Sequence, residues 1–341
     1  MRRILLPLLL MCPIAALTAT GTHALAYEVG DTVVVVDDVT LKVRRNNRVQ
    51  VTDTVFPGVT VRVRAVNGRW LWVSNGVPGW IKQTDVIPLE KAVDYFTAKI
   101  DTFPTEARWR YARAVAWTNK GEWDIAIADY TELIKLKRLP AFYHVRGICY
   151  QAKGEHDKAI DDFNEAIRID PRSARYHNSR SESWYDKANY TRAITDADEA
   201  IRLEPNLASA FTNRGRAHEK LGDVGLAVAD YKKSLQLDPN FDLAYIHFAW
   251  LMATSTEASL RDGELAVKYA EKACKLTNWE DPHALGTLAA AYAEAGKFDE
   301  AVKWEAKAQE LYSPEMKEKW AFLMDLYKEG KPYRQDPARA S

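Results

Sequence analysis

The chain has 341 residues, of which 47 are Lys or Arg and 47 are Asp or Glu, so its formal net charge is zero. That balance excludes the broad basic surface of a nucleic-acid binder and the charge run of an acidic solvating tail. With 47% apolar and 28% charged residues the composition is that of a folded protein of two or three domains, and three cysteines exclude a disulfide scaffold.

The N-terminus reads as an address. Arg2-Arg3 precedes an apolar run from Ile4 to Leu17, and Ala24-Leu25-Ala26 fits a small-x-small cleavage pattern. Residues 1–26 are therefore expected to be a secretory signal cut after Ala26, which makes the protein exported: periplasmic or secreted, in a bacterium. An uncleaved membrane anchor is the rival reading. Against it, Pro7 and Pro13 interrupt a run already short for a ~20-residue span. A lipoprotein signal at Cys12 is a third, but Met11 is not the small residue that pattern wants. No later apolar stretch is long enough to span a bilayer. Cys149 and Cys274, far apart in the helical region, are expected to be buried thiols without a bridge.

Residues 27–88 alternate as β-strands do. Val33-Val34-Val35-Val36, Leu41-Lys42-Val43, Val49-Gln50-Val51 and Val59-Thr60-Val61-Arg62-Val63 are short β-branched runs separated by turn residues such as Asn46-Asn47, Pro57-Gly58, Asn67-Gly68 and Asn75-Gly76. Five or six such strands can close into a small barrel. Arg69-Trp70-Leu71-Trp72-Val73, Asn75-Gly76-Val77-Pro78-Gly79-Trp80-Ile81 and Asp85-Val86 resemble the closing strands of a bacterial SH3-like (SH3b) domain. The resemblance implies binding of peptide or cell-wall material such as peptidoglycan. The sequence departs from a proline-binding SH3 groove, because Lys82-Gln83-Thr84-Asp85 stands where a Pro and a Tyr belong. Trp70 is the one matching groove aromatic. It shares a strand face with Trp72, and the two are the candidate ligand face; alternatively Trp72 or Trp80 is core and Trp70 a rim aromatic.

From Leu89 onward small residues and rings recur with a period of about 34 residues. The clearest unit starts at Pro140, with Gly147, Tyr150, Gly154, Ala159, Phe163, Ala166 and Pro171 at positions 8, 11, 15, 20, 24, 27 and 32. Further units start near Ala107, Ala174, Ala208, Asp242 and Pro282; in the Asp242 unit the second half comes five residues late, within Ser255 to Gly263. Small residues let helix backbones approach, rings fill the gaps, and Pro at position 32 ends the second helix. This pattern resembles the tetratricopeptide repeat (TPR). The resemblance implies an all-α solenoid over residues 89–313: a half-repeat at 89–104, then six helix pairs, with a capping helix from Pro314 to Lys328 in the segment 314–341. The expected fold is thus a multidomain β + α chain, a small SH3-like β-barrel followed by a TPR solenoid.

No C-x-x-C, H-E-x-x-H, G-x-S-x-G or phosphate-loop pattern occurs, so no catalytic, metal or cofactor site is expected. Acidic pairs on second helices, such as Asp161-Asp162, are expected to be solvated surface. The TPR resemblance implies that first helices line a binding groove. Carried over residue by residue, that groove comprises His144, Arg175, Asn178, Glu182, Tyr185, Thr212, Asn213, Arg216, His247 and Trp250, with Ile148, Gln151, Lys220 and Ile246 beside them. A chaperone-type carboxylate clamp is not among the matches, since Glu182 would repel a carboxylate. The function read from the sequence is an exported, non-enzymatic scaffold that binds a protein or peptide in its groove, with the SH3-like domain as a second contact. Peptidoglycan targeting through that domain is the alternative.

Overall fold

The computed structural model describes residues 27–45, 48–75 and 77–335. Residues 1–26, for which a signal is expected, the expected turn residues Asn46 and Asn47, Gly76, and residues 336–341 lie outside the described residues. The chain divides into two compact units, one up to Ala92 and one from Val93.

The first unit is one antiparallel sheet. Its strands are β1 (Thr32–Val35), β2 (Val39–Arg45), β3 (Arg48–Val55), β4 (Thr60–Asn67), β5 (Trp70–Asn75), β6 (Val77–Lys82) and β7 (Val86–Pro88), in the order β3-β2-β6-β5-β4-β1-β7. The arrangement is compatible with an SH3-like domain. There are seven strands rather than five or six, because the three-residue β7, too short to show alternation, pairs with β1 through Val34↔Ile87. One face carries the core: Val33, Val35, Leu41, Val61, Val63, Leu71, Val73 and Ile81 are all buried. Gly79 permits it, since a Cβ there would stand 2.6 Å from Leu41 Cβ. The β4–β5 hairpin turns through Gly68 and Arg69, between the Asn67↔Trp70 pair, with Gly68 at φ +57°. Neither Trp72 nor Trp80 is core. They pair across β5 and β6 on the opposite face, ring centroids 5.3 Å apart, each half-buried.

The second unit is a solenoid of helix pairs. After α1 (Leu89–Thr102) come α2 (Ala107–Asn119) with α3 (Trp123–Leu136), α4 (Pro140–Ala152) with α5 (His156–Ile169), and α6 (Ala174–Asp186) with α7 (Tyr190–Leu203). Then follow α8 (Ala208–Leu221) with α9 (Val224–Leu237), α10 (Asp242–Thr254) with α11 (Gly263–Leu276), α12 (Pro282–Glu294) with α13 (Phe298–Leu311), and the single helix α14 (Pro314–Lys328). The pairs touch where side chains are small. A Cβ on Gly147 would lie 2.6 Å from the Phe163 ring, and Ser181, at the same place two helices on, donates its hydroxyl to Ala193 O at 2.7 Å. Gly121, Gly154, Gly222 and Gly296 turn the chain between paired helices at positive φ; in the α6–α7 turn Ala188 takes that conformation at φ 57°.

A buried ion-pair ladder runs through the first four pairs. Arg113, Arg146, Arg180 and Arg214 on first helices grip Asp129, Asp162, Asp196 and Asp230 on the paired second helices, each with two bonds between 2.6 and 2.9 Å. The remaining guanidinium nitrogen reaches back to the preceding second helix or α1, at Thr97, Thr131, Asn164 and Asp198 in turn. Each Arg thus ties three helices. Asp162 is therefore not solvated surface: only its neighbour Asp161 is exposed. In the fifth pair the ladder becomes apolar, Phe248 packing on Tyr269 at 5.6 Å.

The α10–α11 connection is long, Ser255–Asp262, with one 3-10 turn at Ala258–Leu260, and Asp262 caps α11 by accepting from Leu265 N at 2.9 Å. Gly263 lets this turn press on the end of α12, where a Cβ would stand 2.6 Å from Ala295 N. Leu323 and Tyr327 of α14 are buried against Ala289, Ala293 and Ala301. Beyond α14 the chain doubles back, and Gln335 N donates to Thr254 O at 2.8 Å.

Candidate functional site

The residues proposed for the groove fall into two groups. In the first, side chains stitch neighbouring first helices together. His144 Nε2 lies 3.0 Å from Ser179 Oγ, and Asn213 Nδ2 donates to Asn178 Oδ1 at 3.1 Å. Each contact joins one first helix to the next, one position further along. His144 and Asn213 are buried, and Thr212 is buried within its own pair, donating to Ser234 Oγ at 2.9 Å. These three are withdrawn from a groove surface. Burial, then the nearby Arg175 charge, lowers the His144 pKa to about 4, so the ring is neutral. Arg175 itself is exposed.

The second group forms a real concavity. Glu182 and Tyr185 of α6, Arg216 of α8, and His247 and Trp250 of α10 line one cavity of about 410 Å³. Helix α12 adds His283, Gly286 and Thr287, and α14 closes the far side with Lys319, Trp320 and Leu323. Gly286 leaves room there for the Tyr312 hydroxyl, which a Cβ would meet. Of the residues named through the tetratricopeptide resemblance, Glu182, Tyr185, Arg216, His247 and Trp250 line this cavity. That resemblance missed α14 and the segment Tyr333–Gln335, which line the cavity after the periodic pattern has ended.

The cavity lining combines the aromatic Tyr185, Trp250 and Trp320 with basic Arg216, Lys220 and Lys319 and acidic Glu182, Glu219 and Asp281. The Arg216 guanidinium lies over the Tyr185 ring at 4.1 Å, a cation–π arrangement that leaves its outer nitrogens for a ligand. Burial pushes the Tyr185 hydroxyl up to about 12, so it is a donor at neutral pH. Among the described residues Arg216, Lys220 and Lys319 make no ion pair. Burial lowers the Lys220 pKa, the charges of Lys319 and Arg216 adding to it. Beneath them Glu219 accepts from Tyr231 at 2.8 Å, and burial raises its carboxyl above the usual range. His247, stacked on Tyr231 at 6.3 Å, is held neutral by burial and by the Arg216 charge. The arrangement can take an apolar or aromatic side chain against Tyr185, Trp250 and Trp320, with an acidic group against the basic side chains. No group of His, Cys, Asp and Glu among the described residues is arranged to hold a metal ion. Cys149 and Cys274 are free and buried, and burial pushes the Cys274 thiol up to about 12. No described helix is long and apolar enough to cross a membrane.

In the β unit, Trp70 lines a smaller cavity of about 280 Å³ with Asp37, Asp38, Lys42, Lys82 and Asp85. The Lys82 ammonium sits 5.9 Å from the Trp70 ring centroid. Trp72 is not part of that cavity, being paired with Trp80, so the two tryptophans do not form one platform.

The tetratricopeptide repeat family profile matches residues 140–173 and 208–241. The chain carries tetratricopeptide repeats. These two stretches are α4–α5 and α8–α9 with their following turns. A solved tetratricopeptide repeat protein from Parabacteroides merdae is similar at TM-score 0.53 and 15% identity, over 70% of this chain and 92% of that one. The Cut9–Hcn1 hetero-tetramer of APC/C is similar at TM-score 0.51 and 19% identity, over 60% of this chain and 39% of that one. MamA aligns at 22% identity over 60% of this chain and 96% of that one, with a TM-score of 0.36. No curated protein matches the chain. The likenesses above 0.5 establish the solenoid fold.

Proposed function

We propose that this is an exported, non-enzymatic interaction protein whose tetratricopeptide solenoid binds an extended segment of another polypeptide. The observation that carries the reading is the 410 Å³ cavity, walled by Tyr185, Trp250 and Trp320 and by three basic side chains without ion pairs among the described residues. Such a cavity fits a bulky side chain with a neighbouring carboxylate, the two features that fix a chain segment in register. Export rests on the basic-apolar N-terminus ending in Ala24-Leu25-Ala26. The β unit, with Trp70 beside Lys82, is a second contact that would raise avidity through the tether.

The test is a retention experiment from cell-envelope extract with the full mature chain and its Arg216→Glu, Lys220→Glu variant, read by mass spectrometry. A protein held by the first and lost by the second is the expected result. Identical retention by both would place binding elsewhere and sink the reading.

A further inference from the structure

The segment after α14 occupies a surface built to receive it. Lys331–Gln335 has no regular secondary structure, and none of its residues is buried. Yet its contacts are specific. The Tyr333 ring lies among Trp250, Trp320 and Phe322, at centroid distances of 5.8, 6.4 and 5.6 Å. Arg334 Nη2 stands 2.6 Å from Glu294 Oε2, and its Nη1 donates to Ala253 O at 3.4 Å. The Gln335 backbone N–H donates to the Thr254 carbonyl at 2.8 Å, and its side-chain oxygen lies 3.4 Å from the Thr254 hydroxyl, which donates to Trp250 O at 2.8 Å.

Part of the receiving surface is held by contacts that do not involve the segment. Glu294 is held by Arg261, whose Nε donates to Oε1 at 3.0 Å while its Nη1 donates to Ser255 O at 3.1 Å. Arg261 belongs to the Ser255–Asp262 connection, the extra residues that only this pair has. Gly263 then locks that connection onto the backbone of Glu294 and Ala295. What remains unfilled is a set of acceptors: the other oxygen of Glu294, and the last carbonyls of α10. A helix C-terminus leaves its final carbonyls without intrahelical donors and carries partial negative charge, so it favours a cation. An aromatic cradle lies next to it. The chemistry selects an aromatic residue followed by an arginine and then a side-chain amide.

We propose that the C-terminal end of α10, Glu294 and the Trp250–Trp320 cradle form a docking site for an aromatic–arginine–amide segment of a partner polypeptide, and that Tyr333–Gln335 is its resident occupant. The segment is tethered, so it wins by effective concentration, and a partner binds by replacing it. The proposal rests on the reading that this face of the solenoid takes chain segments; it adds which segment and what competes.

A fluorescent peptide spanning residues 330–337 is the probe, read by anisotropy against the full mature chain and its Tyr333→Ala, Arg334→Ala variant. If the resident segment is closed in nine molecules of ten, the variant binds the peptide about tenfold more tightly. Adding Glu294→Gln to that variant should cost about tenfold, and a peptide with Arg334→Glu should fail to compete. Equal affinity for wild type and variant overturns the proposal, because the segment then competes with nothing. So does a folded variant that ignores the peptide, and so does a variant that no longer folds, for the segment is then part of the fold. Any of these, with extract retention still dependent on Arg216 and Lys220, would leave the proposed function standing.

Discussion

Replacing Asp162 by alanine takes two bonds from Arg146, at 2.7 and 2.8 Å, and leaves a guanidinium whose side chain is only 17% exposed. Removing one partner of a buried pair costs about 3–5 kcal/mol, mostly from the uncompensated charge left behind. Arg146 keeps its bond to Thr131 at 2.9 Å and some contact with water, which places the expected loss near the lower end, about 3 kcal/mol. The paired replacement Arg146→Met with Asp162→Leu should cost less than about 1 kcal/mol, since well-packed apolar pairs of similar volume substitute for buried ion pairs. The molecule already makes that exchange at Phe248 and Tyr269. Urea unfolding followed by circular dichroism, run on Arg146→Met, Asp162→Leu and the double variant as a double-mutant cycle, should find the double variant more stable than the sum of the two single losses by at least about 2 kcal/mol. A loss under about 1 kcal/mol for Asp162→Ala, or a double variant as unstable as the sum of the singles, would show that the ladder does not hold the helices together.

Three further outcomes are expected. Gly147→Ala puts a Cβ 2.6 Å from the Phe163 ring, and the overpacking cost of about 1–3 kcal/mol should exceed the ~1 kcal/mol gained in helix propensity, so the urea midpoint falls. His144 stays neutral in the folded chain down to about pH 4, whereas the unfolded chain takes a proton near 6.5. Stability therefore drops as pH falls from 6.5 to about 4, by about 3 kcal/mol at this site, and His144→Phe should flatten that slope relative to wild type in midpoints measured at pH 7 and pH 4. Glu305 is fully buried in α13, accepting from Gln309 at 2.7 Å, and burial raises its pKa. An acid shifted upward costs stability as pH rises from its unfolded to its folded value, so Glu305→Gln should raise the melting temperature at pH 8 and change little at pH 4.

The helices were legible because their signals are local. Glycine and proline punctuate them, and small residues recur wherever backbones meet, as at Gly147 and Ser181. The cavity wall was legible as far as one helix position predicts a face: Tyr185, Arg216 and Trp250 do converge. His144, Thr212 and Asn213 show where that inference fails. Their positions face a neighbouring helix as readily as solvent, and which one they meet depends on residues 22 or 35 apart in the chain. The ladder had a readable signal, an Arg and an Asp returning in register through four units, but only when read across units rather than along one helix. Asp161 and Asp162 look alike in sequence, yet one is exposed and the other buried. The returning segment had no signal at all, since its place is set by Glu294 and Arg261, which meet only through the fold.

The central claim is that a partner lies along the face lined by Glu182, Tyr185 and Arg216. A photo-cross-linking amino acid placed at Glu182, and separately at the exposed Asp161 of a second helix, tests it directly in living cells. The account predicts a discrete cross-linked protein from position 182 and none from position 161. The same products from both positions, or none from 182, would contradict it.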